Sequence, residues 1–266
     1  MAVTRGSPCM GRSARPSCPE TPFRGALRRP LKEDLPVTEP IVLTTASDGV
    51  AEVALNRPDK MNAITAELFQ AMGEAARTFS EDRSIRAVVL RGEGRAFCAG
   101  LDKDNFAAML KQGAAMGDLT ERTHGDANLF QHAAMMWRRL PVPVIAALHG
   151  VALGGGLQIA LGADIRVAAP DLRMSVLEMK WGLVPDMGGI ALLRHLVRGD
   201  VIRRMTYTAE MIDAEAALSH GLVTEIADDP VARAHDLAVQ IAGRSPAAMR
   251  RAKSLLNFAE DADVDE

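Results

Sequence analysis

The sequence predicts a layered α/β domain, and three observations carry that expectation. Val142 to Leu148 is an apolar, partly β-branched run bounded by Pro141 and His149-Gly150, which reads as a buried strand. The glycines Gly154, Gly155 and Gly156 then turn the chain into an apolar helical pattern from Leu157 to Gly162. The same order recurs upstream, where a strand-like Ile85 to Arg91 is followed by the turn Gly92-Glu93-Gly94 and a loop leading into a helix.

The elements follow in order from Pro40. Ile41 to Thr45 and Ala51 to Leu55 read as strands, and a helix runs from about Ala66 to Phe79. After the Ile85 strand, Ala96 to Asp102 is a compact loop entering a helix over about Asp102 to Lys111, and another helix lies near Asp126. The Val142 strand, the glycine turn and its helix come next, then strands at Ile165 to Ala168 and Met174 to Leu177. Helices are expected from Gly189 to Leu196 and from Asp213 to His220, the latter closed by Gly221. Ser245-Pro246, a good cap and first-turn pair, opens a last helix through Lys253 and Leu256. Asn257 to Glu266 carries five acids and no base.

Three regions are expected. Residues 1–38 form a basic, proline-rich arm: the first 34 hold six Arg and one Lys against Glu20, Glu33 and Asp34, a net charge of +4, with little apolar periodicity. Such a segment buries too little surface to offset ordering entropy and reads as disordered. Being Arg-rich it superficially resembles a transit peptide, yet prolines at 8, 16, 19, 22 and 30 interrupt any long amphipathic helix. Residues 39–198 form the α/β core and 199–266 a helical region.

Composition narrows the function classes. With 266 residues, 48% of them hydrophobic, the chain can bury one substantial core. The formal charge of −3 argues against general nucleic-acid binding, and one Tyr with two Trp gives no aromatic series for stacking bases. Cys9, Cys18 and Cys98 are too scattered for a disulfide framework, no Cys or His spacing resembles a zinc site, and no apolar run of membrane-spanning length occurs. A cytoplasmic protein with neither metal nor separate cofactor is the expectation. Cys98 reads as a small buried thiol, because no base is assignable to it. His149, just before the glycine turn, either touches a ligand or packs; His132 and His195 lie on expected helices and read as structural.

The stretch from Ala147 to Gly189 carries the chemistry. Successive glycines let the backbone approach a ligand closely, and at a helix start the free N–H groups favour developing negative charge. The plain alternative is a tight turn for close strand–helix packing. A second helix start follows the Ala96–Asp102 loop, and two such starts could aim one N–H each at a single oxygen, as an oxyanion hole requires. Glu178 and Asp186, around a Gly/Pro-rich loop, are carboxylates able to move a proton nearby. That pairing points to enolate chemistry on a thioester.

Ala96-Phe97-Cys98-Ala99-Gly100-Leu101-Asp102, His149-Gly150-Val151-Ala152-Leu153-Gly154-Gly155-Gly156 and Glu178-Met179-Lys180-Trp181-Gly182-Leu183-Val184-Pro185 together resemble the crotonase (enoyl-CoA hydratase/isomerase) superfamily. The resemblance covers roughly Pro40 to Leu256 and includes Asn56-Arg57-Pro58, Asp164-Ile165-Arg166 and Gly221-Leu222-Val223. It implies a β-β-α spiral core, a homotrimer or hexamer, and an acyl-coenzyme A thioester as partner, coenzyme A being part of the substrate. The implied oxyanion donors are the amides of Leu101 and Gly155. Ala99, Gly100, Asp102, Gly154, Gln158 and Pro185 are the implied substrate contacts. The family usually continues for some thirty residues beyond this chain's last helix, so a shortened C-terminal region is expected, and with it an open question over trimer formation.

Hydratases of the family carry a glutamate at the position of Gln158 and a second at that of Glu178. An amide can hydrogen-bond to water but cannot exchange a proton at neutral pH. The dienoyl-CoA isomerase branch has an aspartate where this chain has Asp186, although it also has one at position 158. The resemblance therefore favours double-bond isomerisation, with Glu178 as base and then acid and Asp186 assisting or receiving the proton at the far end. Plainer readings stay open: Glu178 as a surface carboxylate, Asp186 as a turn residue after Pro185, Gln158 as a helix hydrogen-bonder. Lys253 is either a phosphate contact or a solvated helix lysine. Met109, Met116, Met135 and Met136, in the segment that would set pocket length, either fill core gaps or line an adaptable pocket. Alternatives at the level of function are enoyl-CoA hydration, a non-catalytic acyl-CoA binder, and RNA association through the basic arm.

Overall fold

The computed structural model describes residues 39–102 and 120–262. The basic arm, all but the first residue of the helix expected from Asp102 to Lys111, and Met109 and Met116 lie outside them.

Strands β1 (Val42–Ser47) and β2 (Val50–Leu55) form a hairpin around Asp48-Gly49, both at positive φ. Helix α1 (Ala66–Glu81) is capped by the Thr65 side chain, which accepts from the Leu68 amide. It buries Leu68, Phe69, Met72, Ala75, Ala76 and Phe79, a stripe at helical spacing. Strand β3 (Ala87–Gly92) follows, and helix α2 (Leu129–Arg139) starts from a capping box between Asn128 and Gln131. Strands β4 (Val144–Leu148) and β5 (Val151–Leu153) lead into the fully buried helix α3 (Gly155–Leu161). Strands β6 (Ile165–Ala168) and β7 (Arg173–Ser175) precede a 3-10 turn over Leu177–Trp181 and the short helix α4 (Gly189–Leu193).

The remainder runs α5 (Gly199–Thr208), β8 (Ile212–Asp213), α6 (Ala214–His220), β9 (Glu225–Ile226), α7 (Pro230–Ala242) and α8 (Pro246–Asp261). Six strands form one sheet in the order β1-β2-β3-β4-β6-β9, parallel except for the β1–β2 hairpin. A smaller sheet, β5-β7-β8, sits beside it.

Alternation along the central strands feeds two apolar layers. Val88, Leu90, Val144, Ala146 and Leu148 face one layer with α1, α2 and α3, while Ala87, Val89, Ile145 and Ala147 face α7. Helix α7 meets them through Ala234, Ala238 and Ala242, side chains small enough for the helix to lie close on the sheet. The expected boundary at residue 198 is corrected here. Strands β8 and β9 join the two sheets and α7 covers one face, so Glu39–Glu266 is one unit and the later residues are not a separate helical region.

Lys253 is also corrected. It is buried on α8, and its Nζ donates to Trp137 O at 3.0 Å, Val142 O at 2.9 Å and Asp164 Oδ2 at 2.6 Å. Asp164 Oδ2 in turn accepts from the Val144 amide at 2.7 Å. Burial lowers the Lys253 ammonium and raises the Asp164 carboxyl in spite of their attraction, so the pair is a desolvated clamp rather than a phosphate site. Of the acids after Leu256, Glu260 and Asp261 continue the same helix, and both pair with Arg138 on α2.

Candidate active site

Two segments about fifty residues apart in sequence converge. The Ala96–Asp102 loop is stitched on one side to the start of β5: the Cys98 amide donates to Val151 O and the Leu153 amide to Cys98 O, each at 3.0 Å. On its other side Ile64 N donates to Gly100 O at 2.8 Å and Asp102 N to Ile64 O at 3.0 Å. In that parallel bridge Leu101 is the residue whose own N–H is not spent on Ile64, so its amide faces the opposite side. Gly155 begins α3, where the helix supplies no acceptor for its amide.

Gly100 brings these two places together. It sits at φ +86°, and a Cβ built on it would stand 2.7 Å from Leu153 O and 3.7 Å from the Gly155 nitrogen. Leu101 and Gly155 line one cavity of about 290 Å³, together with Ala99, Gly100, Gly154 and Glu178. The packing role of the glycines is realised as well, since a Cβ on Gly156 would lie 2.4 Å from Cys98 O.

Glu178 lies on the Leu177–Trp181 turn. Its Oε1 accepts from Gln158 Nε2 at 2.7 Å, while its Oε2 is buried without a hydrogen-bond partner among the described residues. Desolvation raises the carboxyl above the ordinary glutamate range. A backbone hydrogen bond and the Gln158 amide oppose the rise, and the charge of Asp186 adds to it. A half-buried acid beside an apolar cavity and two amides is suited to exchanging a proton with a bound ligand.

The other expected contacts are placed differently. Asp102 is 7% exposed and bonds to the Arg57 guanidinium at 3.0 Å, so it anchors the loop behind Leu101. Gln158 is 3% exposed, with Nε2 on Glu178 and Oε1 accepting from the Gly189 amide at 2.8 Å. Neither is among the described residues lining the cavity, and neither is Pro185. Asp186 is exposed and also off the lining; burial raises its carboxyl, and its charge reaches Glu178.

Several site residues escaped the sequence reading. Met61, Leu177, Trp181 and Leu183 complete the apolar wall. Asn62, fully buried at φ +54°, accepts from the Arg57 amide and donates to Glu93 O and Ala96 O, tying the Ala96–Asp102 loop to the preceding turn. Asn56-Arg57-Pro58 was the available signal for that turn, and nothing marked Asn62. Cys98 is fully buried, donates Sγ–H to Asn62 O, and its thiol is pushed up to about 12 by desolvation, which removes it as a nucleophile.

His149 packs through Nε2 on Gly94 O, His195 lies 3.6 Å from Asp261, and His132 stacks on His124. That last pair lines a larger groove of about 590 Å³ between α1 and α2, which offers one exposed carboxylate, Glu74, in place of a buried acid beside two amides. Met136 is core and Met135 packs against it. Among the described residues no three His, Cys, Asp or Glu side chains converge as metal ligands, and no helix is long and apolar enough to cross a membrane.

Comparison with known proteins fits this geometry. Residues 45–265 match the family model for enoyl-CoA hydratase/isomerase. The mouse mitochondrial Delta(3,5)-Delta(2,4)-dienoyl-CoA isomerase is 32% identical over 236 residues, covering 86% of this chain and 72% of that protein. The Mycobacterium leprae protein named "Probable enoyl-CoA hydratase echA6" is 34% identical over 225 residues, covering 84% of each. The crystal structure of an enoyl-CoA hydratase from Bacillus anthracis superimposes with a TM-score of 0.77 at 28% identity, covering 85% of both chains.

Proposed function

The chain belongs to the enoyl-CoA hydratase/isomerase family, and from that premise we propose that it moves the double bond of an enoyl-CoA thioester through an enolate. The observation that carries this reading is the asymmetry at Glu178: one carboxylate oxygen is held by an amide, and the other is buried beside the cavity with no hydrogen-bond partner among the described residues.

The thioester carbonyl oxygen would accept from the amides of Leu101 and Gly155. Glu178 Oε2 takes a proton from the carbon next to the carbonyl. The electron pair of that C–H bond moves into the carbonyl, and the charge rests on the oxygen under the two N–H groups. Starting from a 3-enoyl thioester, the resulting dienolate regains the proton at carbon 4 and becomes the 2-enoyl thioester, with no change in mass. Glu178 can make both transfers. Where the double-bond system is longer, Asp186, whose charge reaches Glu178, would receive the proton at the far end.

Hydration is the second reading, since relatives carry that name. Gln158 weighs against it, because water addition in this site needs a second proton-exchanging group and its amide is already spent. The deciding experiment incubates purified protein with 2-enoyl-, 3-enoyl- and dienoyl-CoA thioesters. Isomerisation leaves mass unchanged and shifts retention and ultraviolet absorbance, whereas a product heavier by one water overturns the proposal in favour of hydration. Binding without turnover marks a non-catalytic acyl-CoA binder.

A further inference from the structure

We infer that Gln158 is a positioning residue that assigns the two oxygens of Glu178 different duties, reserving Oε2 for proton transfer and holding Oε1 as a fixed acceptor. The inference rests on the isomerase reading for its chemistry and on the hydrogen-bond network for its geometry.

The direction of every bond in that network is set by a group with no choice. The Gly189 amide can only donate, so the Gln158 atom 2.8 Å from it is the carbonyl oxygen Oε1. The Gln158 NH₂ therefore faces Glu178, and since it too can only donate, Glu178 Oε1 must accept at 2.7 Å. An acid proton on Oε1 would make that oxygen a poorer acceptor and weaken the Gln158 bond. Protonation is therefore directed to Oε2, the oxygen that is buried and has no hydrogen-bond partner among the described residues.

The site makes room for this arrangement. A Cβ on Gly189 would lie 2.6 Å from Gln158 Cγ and 2.7 Å from its Oε1, so the side chain fits only because residue 189 has none. Gly189 is the first residue of α4, and Asp186 lies three residues before it. Gln158 thus joins the turn that carries Glu178 to the loop that carries Asp186, and it sets their separation as well as the orientation of Glu178. A glutamine performs this task without adding a second proton-exchanging group beside the enolate.

Two variants separate donor from acceptor. Gln158→Met keeps the volume and removes both bonds; Gln158→Glu keeps an acceptor for Gly189 and replaces the donor with a carboxyl. Each is compared with wild type for conversion of 3-hexenoyl-CoA to 2-hexenoyl-CoA, for exchange of the α-hydrogens of butanoyl-CoA in deuterium oxide, and for thermal midpoint. The Glu178 carboxyl is also titrated by NMR with carbon-labelled glutamate, its signal assigned by loss in Glu178→Gln.

Gln158→Met is expected to lower kcat by about 100-fold with little change in KM, the cost of a misaligned reacting group. In Gln158→Glu two carboxyls share one contact, so the acid limb of kcat/KM and the Glu178 titration should both move up by about one pH unit or more. A folded Gln158→Met with wild-type kcat, or a Gln158→Glu whose Glu178 titration is unmoved, overturns the inference. If wild type neither isomerises nor exchanges hydrogen, the isomerase reading fails. The NMR titration then still decides whether Gln158 governs Glu178.

Discussion

Gly154 faces Glu178 so closely that a Cβ on the glycine would lie 3.3 Å from Oε1 and 3.5 Å from Oε2 of the carboxylate. Gly154 also holds φ +51° and ψ −120°, a conformation that strains any residue with a side chain. Gly154→Ala should therefore cost about 1–3 kcal/mol of stability by urea denaturation. It should also reduce kcat more than KM, because the displaced group is the carboxylate.

Glu178→Gln keeps the shape of the side chain and removes its proton chemistry. Isomerisation of the 3-enoyl thioester and α-hydrogen exchange should both fall to background, while binding of the thioester by calorimetry persists. A variant with more than a few percent of wild-type turnover would assign the proton transfer to another group.

The raised Glu178 carboxyl sets a pH signature. The base form starts the reaction, so the acid limb of kcat/KM should lie above the ordinary glutamate value of 4.5. Stability follows the same group: as pH rises, the unfolded chain loses this proton first, so the folded state loses stability between the unfolded and the folded pKa. Glu178→Gln removes that loss. Relative to wild type, the variant should gain stability between pH 4 and pH 7, measured by urea denaturation at both.

Lys253 and Asp164 form the other buried pair, and breaking it from one side should be costly. Lys253→Met leaves the Asp164 carboxylate desolvated opposite an apolar group, an expected loss of about 3–5 kcal/mol. Lys253→Met combined with Asp164→Asn retains an acceptor for the Val144 amide and should recover much of that loss. Denaturation midpoints of the two variants decide between a clamp and a dispensable contact.

Gln158→Glu places a second carboxyl against Glu178 and so supplies the group that water addition lacks. A product heavier by one water should appear from the 2-enoyl thioester, at a rate rising with pH across the acid limb. No hydration at any pH would mean that more than position 158 separates the two reactions.

Much of the framework was legible in the residues. The apolar runs at Ile85 and Val142 became β3 and β4, and Ile165 to Ala168 became β6 as expected, because strands buried on both faces advertise themselves as continuous apolar sequence. The strands β5, β8 and β9 were not legible. They are two or three residues long and exist only through partners distant in sequence, β9 on β6 and β8 on β7. Lys253 misled for a related reason: an amphipathic helix pattern does not reveal that Trp137, Val142 and Asp164 wait to receive a buried ammonium.

The chain's own order of residues determined the glycine turn, the loop ahead of Leu101, the acid at 178 and the amide at 158, since each is a local choice of side chain or backbone freedom. Only the tertiary structure decided what those choices do to one another. Folding placed Gly100 beside Gly155, turned Asp102 toward Arg57 and wedged Gln158 between Glu178 and Gly189. The strength and direction of a hydrogen bond or a charge depend on separation and burial, and those are properties of residues far apart in sequence brought into one cavity.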